Sequence, residues 1–260
     1  MNLYKIVELK YKLARLNKQK CVKTMKKIQL ILILSIFSTS AYTENSSLFE
    51  GAYLGIDLSR TMSTESSGFE TSNGVRTGFT LDNEYDGSLS LGMKGGYNWL
   101  VSNNIVFGFG GSYHEFSGDN HGSTWVQNGV VDPNFPASHK INDRADLKAK
   151  LGYVFNNSRS LIYLTSGYSR IEIQRTDNVD TANGGQFTGT GTVTTDANGW
   201  IFGLGGEHFI FDYLTMNVEY LVTDYGSITN DTSFMYGAGS AQVYNYDDQT
   251  VRFGLIYWFK

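Results

Sequence analysis

Thr250–Lys260 reads TVRFGLIYWFK. Val251, Phe253, Leu255, Tyr257 and Phe259 alternate with Arg252, Gly254, Ile256 and Trp258. A two-residue period of this kind makes a β-strand with one apolar face. The apolar row ends in Tyr257 and Phe259, with only Lys260 beyond. A soluble domain rarely spends a terminal strand on an exposed aromatic edge, whereas a strand ending at a lipid–water boundary places amphipathic rings there.

Working back along the chain, the same alternation recurs in seven more segments: Phe49–Arg60, Tyr85–Leu100, Ile105–Phe116, Ile141–Phe155, Leu161–Arg175, Gly199–Phe211 and Leu214–Gly226, with Gln249–Phe259 the eighth. Each supplies the roughly 9–11 residues that a tilted transmembrane strand requires. Short connections rich in Asn, Ser and Asp (101–104, 156–160, 212–213) alternate strictly with long polar ones (61–84, 117–140, 176–198, 227–248). All long connections therefore fall at one end of the sheet. The expected fold is all-β, an eight-stranded antiparallel up-and-down transmembrane barrel with short periplasmic turns and long extracellular loops. Aromatic residues collect at the short-turn ends of alternate strands (Tyr97, Trp99, Tyr153, Phe155, Phe209, Phe211, Tyr257, Phe259), as an interfacial girdle would.

The face opposite the apolar rows carries Asp57, Lys94, Arg144, Asp146, Lys148, Lys150, Arg170, Glu172, Glu207, Glu219 and Arg252, interleaved with Gly55, Gly92, Gly96, Gly108, Gly110, Gly152, Gly203, Gly205 and Gly254. Small residues beside long charged ones suit the lumen of an eight-stranded barrel, which is just wide enough for side chains to fill it. Slipping the strands by one residue would put six cations into lipid, at roughly 2–4 kcal/mol each near the midplane. That exceeds the stability of an ordinary domain, so the register is strongly specified. His208 and Glu115 share the parity of the lipid face and are expected at an interface or beside a bulge. A soluble carrier barrel would reverse the two faces, and the one-sided long loops and the aromatic rim argue against it.

The N-terminus differs from the rest. Of 21 Lys/Arg, nine lie in residues 1–27, against one of 25 Asp/Glu, so the remainder is acidic, with 12 basic and 24 acidic residues. An acidic protein lacks the basic surface that nucleic acid requires. Met25-Lys26-Lys27, the apolar run 28–37 and the small residues 38–41 have the three parts of a cleavable signal peptide. Residues 1–41 are thus expected to be an N-terminal extension and signal (core 25–41), and 42–260 the barrel. Cys21 lies before the cleavage site, leaving no thiol for a disulfide, a thiolate metal site or a nucleophile.

Taken together, GAYLGIDLS at 51–59, the eight-strand plan and FGLIYWF at 253–259 resemble the opacity-type surface antigens and other small OmpA-like barrels of Gram-negative bacteria. The resemblance implies integral placement in the outer membrane among lipid and lipopolysaccharide. It implies insertion by the outer-membrane assembly machinery, which would read Phe253, Leu255, Tyr257 and Phe259. It also implies loops that meet host surface molecules, and no catalytic residues.

His121 and Ser123 stand two apart, as in lipid-deacylating barrels, but in a loop without an organised acid. His114, His121 and His139 match no metal spacing, so neither metal nor cofactor is expected. The charges from Arg144 to Lys150 suit a salt-bridged plug better than a selectivity ring. The long connections hold the acids Glu65, Glu70, Asp82, Glu84, Asp119, Asp132, Asp177, Asp180, Asp196, Asp231, Asp247 and Asp248, read as loop-solvating charge. The resulting functional reading is a non-enzymatic surface antigen or adhesin-like barrel. Its alternatives are a narrow porin-like channel and a lipid-modifying enzyme.

Overall fold

The computed structural model describes residues 48–81, 84–117, 121–127, 130–155, 159–179 and 189–259. The expected signal segment lies outside them. Ten strands and one helical turn follow in order: β1 (Gly51–Ser72), β2 (Val75–Leu81), β3 (Glu84–Ser102), β4 (Ile105–Ser117), β5 (His121–Gln127), β6 (Val130–Phe155), β7 (Ser160–Val179), β8 (Gly189–Phe211), β9 (Leu214–Asp231), α1 (Ser233–Tyr236) and β10 (Ser240–Phe259).

Eight strands form the wall in the order β1-β3-β4-β6-β7-β8-β9-β10, all antiparallel neighbours, and β10 pairs with β1 to close the ring. Closure runs from Ala52 opposite Phe259 to Ser72 opposite Ser240. Lipid offers no hydrogen bonds, so a spanning sheet must pair every edge in this way.

The eight expected segments end within a few residues of the observed strands at the short-turn end. At the other end, six of the eight strands (β1, β6, β7, β8, β9 and β10) run on by several residues into the stretches expected as loops. The additional strands β2 and β5 pair with each other and with β1 and β6, replacing β3 and β4 above the membrane. Among the described residues the outer positions of these extensions are mostly polar, with Val75 and Val130 as isolated exceptions, so no continuous apolar row marks them in the sequence.

Outward apolar side chains mark the lipid level. They include Leu54, Ile56 and Leu58 on β1, Leu91 and Met93 on β3, Leu147 on β6, Leu164 on β7, Leu204 on β8, Met216 and Val218 on β9, and Phe253 and Leu255 on β10, all exposed to surroundings outside the wall. Rings bound the belt on both sides: Tyr97, Trp99, Tyr153, Phe155, Tyr213, Tyr257 and Phe259 below, and Tyr113, Tyr168, Trp200 and Tyr220 above. Tyr257 packs against Tyr213 and Phe259 at 5.6 and 5.2 Å, and Tyr168 meets Trp200 edge-on at 5.9 Å. Phe209 departs from the expected girdle. It keeps the inward parity of Gly205 and Glu207 and is buried, and the register shift between Phe209 and Phe211 leaves Phe211 outside. Glu115 and His208 are exposed, at the extracellular and periplasmic margins of the belt respectively, and the His208 ring nitrogen Nδ1 lies 2.9 Å from the Ser160 hydroxyl.

Inside, the side chains stack in layers. At the periplasmic mouth Phe49, Val106, Val154, Leu161, Phe209, Ile256 and Trp258 form an apolar plug. Phe49 was expected in the first strand, but the strand begins two residues later and Phe49 folds into the mouth, 4.7 Å from Phe209 and 5.9 Å from Trp258 between ring centres. Gly51, with φ +121°, makes this reversal of the chain possible. Above the charged middle layer lies a second apolar cluster of Ile141, Ile171, Ile173, Ala197, Tyr225, Ile228, Tyr244 and Tyr246. Outward residues at that height are Asp143, Arg170, Glu172, Asp196 and Asn198, so this cluster sits above the lipid, where water bathes the outside.

The helical turn α1 closes the β9–β10 hairpin. The Asp231 carboxylate accepts the backbone N–H of Ser233 at 2.9 Å. Hydrogen bonding from Ser233 holds the Asp231 carboxyl below its ordinary range. A lowered folded-state pKa contributes stability above the unfolded value, roughly 3.9, that is lost as pH falls through the folded value. The protection factors of the Ser233 and Met235 amides, exchange being corrected for its intrinsic pH dependence, should therefore fall below about pH 4, and Asp231→Ala should leave them low and flat across that range.

The belt makes a graded prediction as well. Leu58→Arg, near mid-belt, should cost about 2–4 kcal/mol in reversible urea unfolding from vesicles, and Met62→Arg at the upper margin about 0–1 kcal/mol. Equal costs at the two depths would contradict this placement of the lipid.

Candidate functional site

The middle of the lumen is a network of charges projecting from strands across the ring. β6 supplies Arg144, Asp146, Lys148 and Lys150 at alternate positions, so one strand sends four charged side chains to the same face. Apart from Asp146, its neighbour on β6, the partners of Arg144 come from the far wall. Arg144 donates from Nε to Asp146 at 2.8 Å, from Nη1 to Asp248 at 3.0 Å and Thr250 at 3.1 Å, and from Nη2 to Thr223 at 2.7 Å. β6 and β10 lie on opposite sides of the eight-strand ring, so this fully buried guanidinium is a spoke across the barrel.

Asp146 is the shared acceptor. Its second oxygen takes Arg252 Nη2 at 2.6 Å and the Ser112 hydroxyl at 3.2 Å, while Arg252 Nη1 donates to Ser112 at 3.1 Å. Lys148 on β6 reaches Glu219 on β9 at 2.9 Å. Lys94 on β3 pairs with Asp57 at 2.7 Å and donates to Asn217 at 2.7 Å. Lys150 lies 3.8 Å from Glu207 and over the rings of Tyr53 and Tyr163, at 4.6 and 5.2 Å. Glu207 in turn accepts from the Thr215 hydroxyl at 2.6 Å and Trp258 Nε1 at 3.1 Å, tying the charged layer to the periplasmic plug.

Five cations (Lys94, Arg144, Lys148, Lys150, Arg252) thus meet five carboxylates (Asp57, Asp146, Glu207, Glu219, Asp248). Charge buried at this depth is tolerable only when paired and hydrogen-bonded. Glycine makes the room. A Cβ at Gly92 would collide with the His114 ring, one at Gly108 with the Lys150 stem, and one at Gly254 with the Asp57 carboxylate. A cavity of about 30 Å³ remains between Lys94, Lys148, Lys150, Tyr53, Tyr163 and Glu219, room on the scale of one or two waters.

Nine of the eleven residues expected on the inner face are there. Arg170 and Glu172 are not. Arg170 is 45% exposed and pairs outside the wall with Asp196 at 2.7 Å and Asp143 at 3.9 Å, and Glu172 accepts from Asn142 at 2.7 Å. The physical reason is a reversal of polarity along β7. Below Ser169 the strand faces lipid with Ile162, Leu164 and Tyr168, while Ser169 and Thr165 point inward. Above it the outside is water, so Arg170 and Glu172 turn out and Ile171 and Ile173 turn in. Strict alternation continues, but the polar face has become the outer one.

Two supposed loop acids are interior. Asp248 is buried against Arg144, and Asp177 is buried with Arg175 at 3.4 Å and Gln242 at 2.5 Å. Asp248-x-Thr250-x-Arg252 shares one parity with the terminal strand, a signal that extending the alternation two residues back would have exposed. His114 and His139 are fully buried inside the ring. His121 and Ser123 lie in β5, opposite His139 and Ala137, rather than in a loop, and their side chains are outside the described residues. Among the described residues no group of three or more His, Cys, Asp or Glu is placed to hold a metal ion. Phe253, Leu255, Tyr257 and Phe259 all face outward on β10.

A closed antiparallel ring with an apolar belt, two aromatic girdles and a paired-charge interior defines an integral β-barrel of the outer membrane. Residues 30–259 match the profile of the outer membrane protein beta-barrel domain, and the chain belongs to that family. It is 26% identical over 256 residues to a 31 kDa outer-membrane immunogenic protein of Brucella melitensis biotype 1 and to the protein of the same description from Brucella suis biovar 1, covering 90% of this chain and 100% of each relative. The crystal structure of the outer membrane protein OprG from Pseudomonas aeruginosa is similar at a TM-score of 0.52 and 12% identity, over 82% of this chain and 99% of that one. That similarity is one of fold.

The Arg144 spoke predicts a large asymmetry. Arg144→Ala, which leaves Asp146 and Asp248 short of a cation, should cost about 3–5 kcal/mol in urea unfolding from vesicles. Combining Arg144→Met with Asp248→Asn should recover much of that loss, because the stranded charge goes with its partner. A cost under about 1 kcal/mol for Arg144→Ala, the range of exposed pairs, would refute the network as drawn.

Proposed function

We propose that this protein is a non-enzymatic surface antigen with an adhesin-like role, in which a plugged barrel anchors extracellular hairpins that make the contacts. One observation carries the reading. The lumen is filled in succession by an apolar plug, a charge-paired layer and a second apolar cluster, leaving a cavity too small for solute passage. What remains available for recognition is the extension above the belt, built from β2, β5, α1 and the upper parts of the other strands. That the Brucella relatives are described as immunogenic supports exposure of such a surface.

Under this reading the lumen charges are structural, host surface molecules are the partners, and outer-leaflet lipid and lipopolysaccharide surround the belt. The outward row Phe253, Leu255, Tyr257 and Phe259 serves as the signal for the assembly machinery. The small polar cavity favours one competing reading, a narrow low-conductance channel, in which Lys94, Lys148 and Lys150 would select the ion.

Planar-bilayer recording separates the two. The refolded barrel should be electrically silent, and replacing the 118–139 hairpin with a tight turn should abolish binding of antisera or host cells while the barrel still folds. Discrete, reproducible conductance steps in the unaltered protein, lost in Lys148→Met, would favour the channel instead.

A further inference from the structure

The charged layer surrounds one small space. The cavity of about 30 Å³ is lined from seven of the eight wall strands, β8 excepted, so it lies near the barrel axis. Its charged lining is three ammonium groups, Lys94, Lys148 and Lys150, and one carboxylate, Glu219. Lys94 and Lys150 have carboxylate partners, Asp57 at 2.7 Å and Glu207 at 3.8 Å, but neither acid lines the cavity. These two pairs therefore turn their positive ends inward and their negative ends away. Coulomb energy falls with distance, so the nearer charges dominate inside the cavity and the potential there is positive. The layer as a whole stays neutral.

The hydrogen-bonding groups are unbalanced in the same sense. Each ammonium has three N–H donors and no acceptor. Lys94 spends two of them, on Asp57 and on Asn217 Oδ1 at 2.7 Å. Lys148 turns to the two Glu219 oxygens, at 2.9 and 3.0 Å. Lys150 has no acceptor within hydrogen-bond reach among the described residues, since Glu207 Oε2 stands 3.8 Å away. The ring faces of Tyr53, Tyr163 and Trp258, at 4.6, 5.2 and 5.9 Å, attract the charge instead. Around the cavity, donors thus outnumber acceptors.

We propose that this cavity is a binding site for one monovalent anion of halide size, held by Lys94, Lys148 and Lys150. A water molecule must donate hydrogen bonds as well as accept them, and the one carboxylate in the lining already faces Lys148. A halide only accepts, and its charge matches the positive potential. Room on the scale of one or two waters takes a single such ion and no larger solute. Phe49, Phe209 and Trp258 close the periplasmic mouth, and the upper apolar cluster closes the other end. An ion admitted while the strands close then leaves only when they part. That slow release rests on the plugged-lumen reading, whereas the binding itself rests on the lysines.

The test uses the full chain, purified from outer membranes and refolded with bromide as the probe. One bromide per barrel should remain after transfer to halide-free buffer, and crystals should show an anomalous scattering peak between the three Nζ atoms. Binding to the folded barrel alone predicts that the urea-unfolding constant falls about tenfold for each tenfold rise in chloride above the dissociation constant, with ionic strength held fixed by gluconate. Glu219→Gln removes the lining carboxylate and leaves Lys148 unpaired. It should be destabilised in gluconate and rescued by chloride, a recovery that a merely structural role of Glu219 would not give. Lys150→Met combined with Glu207→Gln takes out a cation together with its carboxylate, and should fold while losing both the bromide and the chloride dependence. Water in the cavity with no anomalous peak, equal stability in chloride and gluconate, or a Glu219→Gln protein indifferent to chloride would overturn the site. Bromide that gives the peak but washes out at once would support the site and count against the plug.

Discussion

Everything in this barrel depends on the pairing of its first strand with its last. In lipid an unpaired peptide group costs several kcal/mol, so a spanning sheet is stable only when it has no edge. β1 and β10 meet from Ala52–Phe259 upward along their whole length, and with that closure every lipid-facing backbone group is satisfied. Closure at eight strands then sets the bore. A bore that narrow must be filled with side chains, and side chains behind a lipid-facing wall have only one another as partners.

The charged layer follows from that confinement. Arg144, Asp146, Arg252 and Asp248 exchange hydrogen bonds across the diameter, and Lys94, Lys148 and Lys150 each find a carboxylate on another strand. Such groups add little net stability compared with a well-packed apolar core, because desolvation offsets much of their attraction. They add specificity. A register slip would separate each spoke from its partner while also turning charges outward, so the ionic interior and the apolar belt select the same alignment. Trp258 joins the two devices, with its indole N–H on Glu207 and its ring against Phe49.

Polarity reverses where the wall leaves the lipid. Within the belt the outside is hydrocarbon and the inside polar. Above it the outside is water, and the inside takes up Ile171, Ile173, Ile228, Tyr244 and Tyr246. The same β7 strand follows both rules, changing between Ser169 and Ile171. Above that height the ordinary hydrophobic effect holds the hairpins together.

The alternation of Val251, Phe253, Leu255, Tyr257 and Phe259, and its seven counterparts, determined by itself the strand type, the number of wall strands, the lipid face and the short-turn end. It could do so because hydrocarbon on one side of a two-residue period leaves an unbroken apolar row. What the same residues left open was anything that depends on height or on distant partners. Arg170 and Glu172 continue the parity of Tyr168, and nothing local to β7 says that the medium outside has changed from lipid to water. Phe49 sits in line with the first strand, and only the rings of Phe209 and Trp258, more than 150 residues away in the chain, draw it into the mouth. Asp248 is one acid among many until Arg144 approaches from the opposite wall. Tertiary structure decided these because burial and pairing belong to the closed ring, whereas periodicity belongs to the single strand.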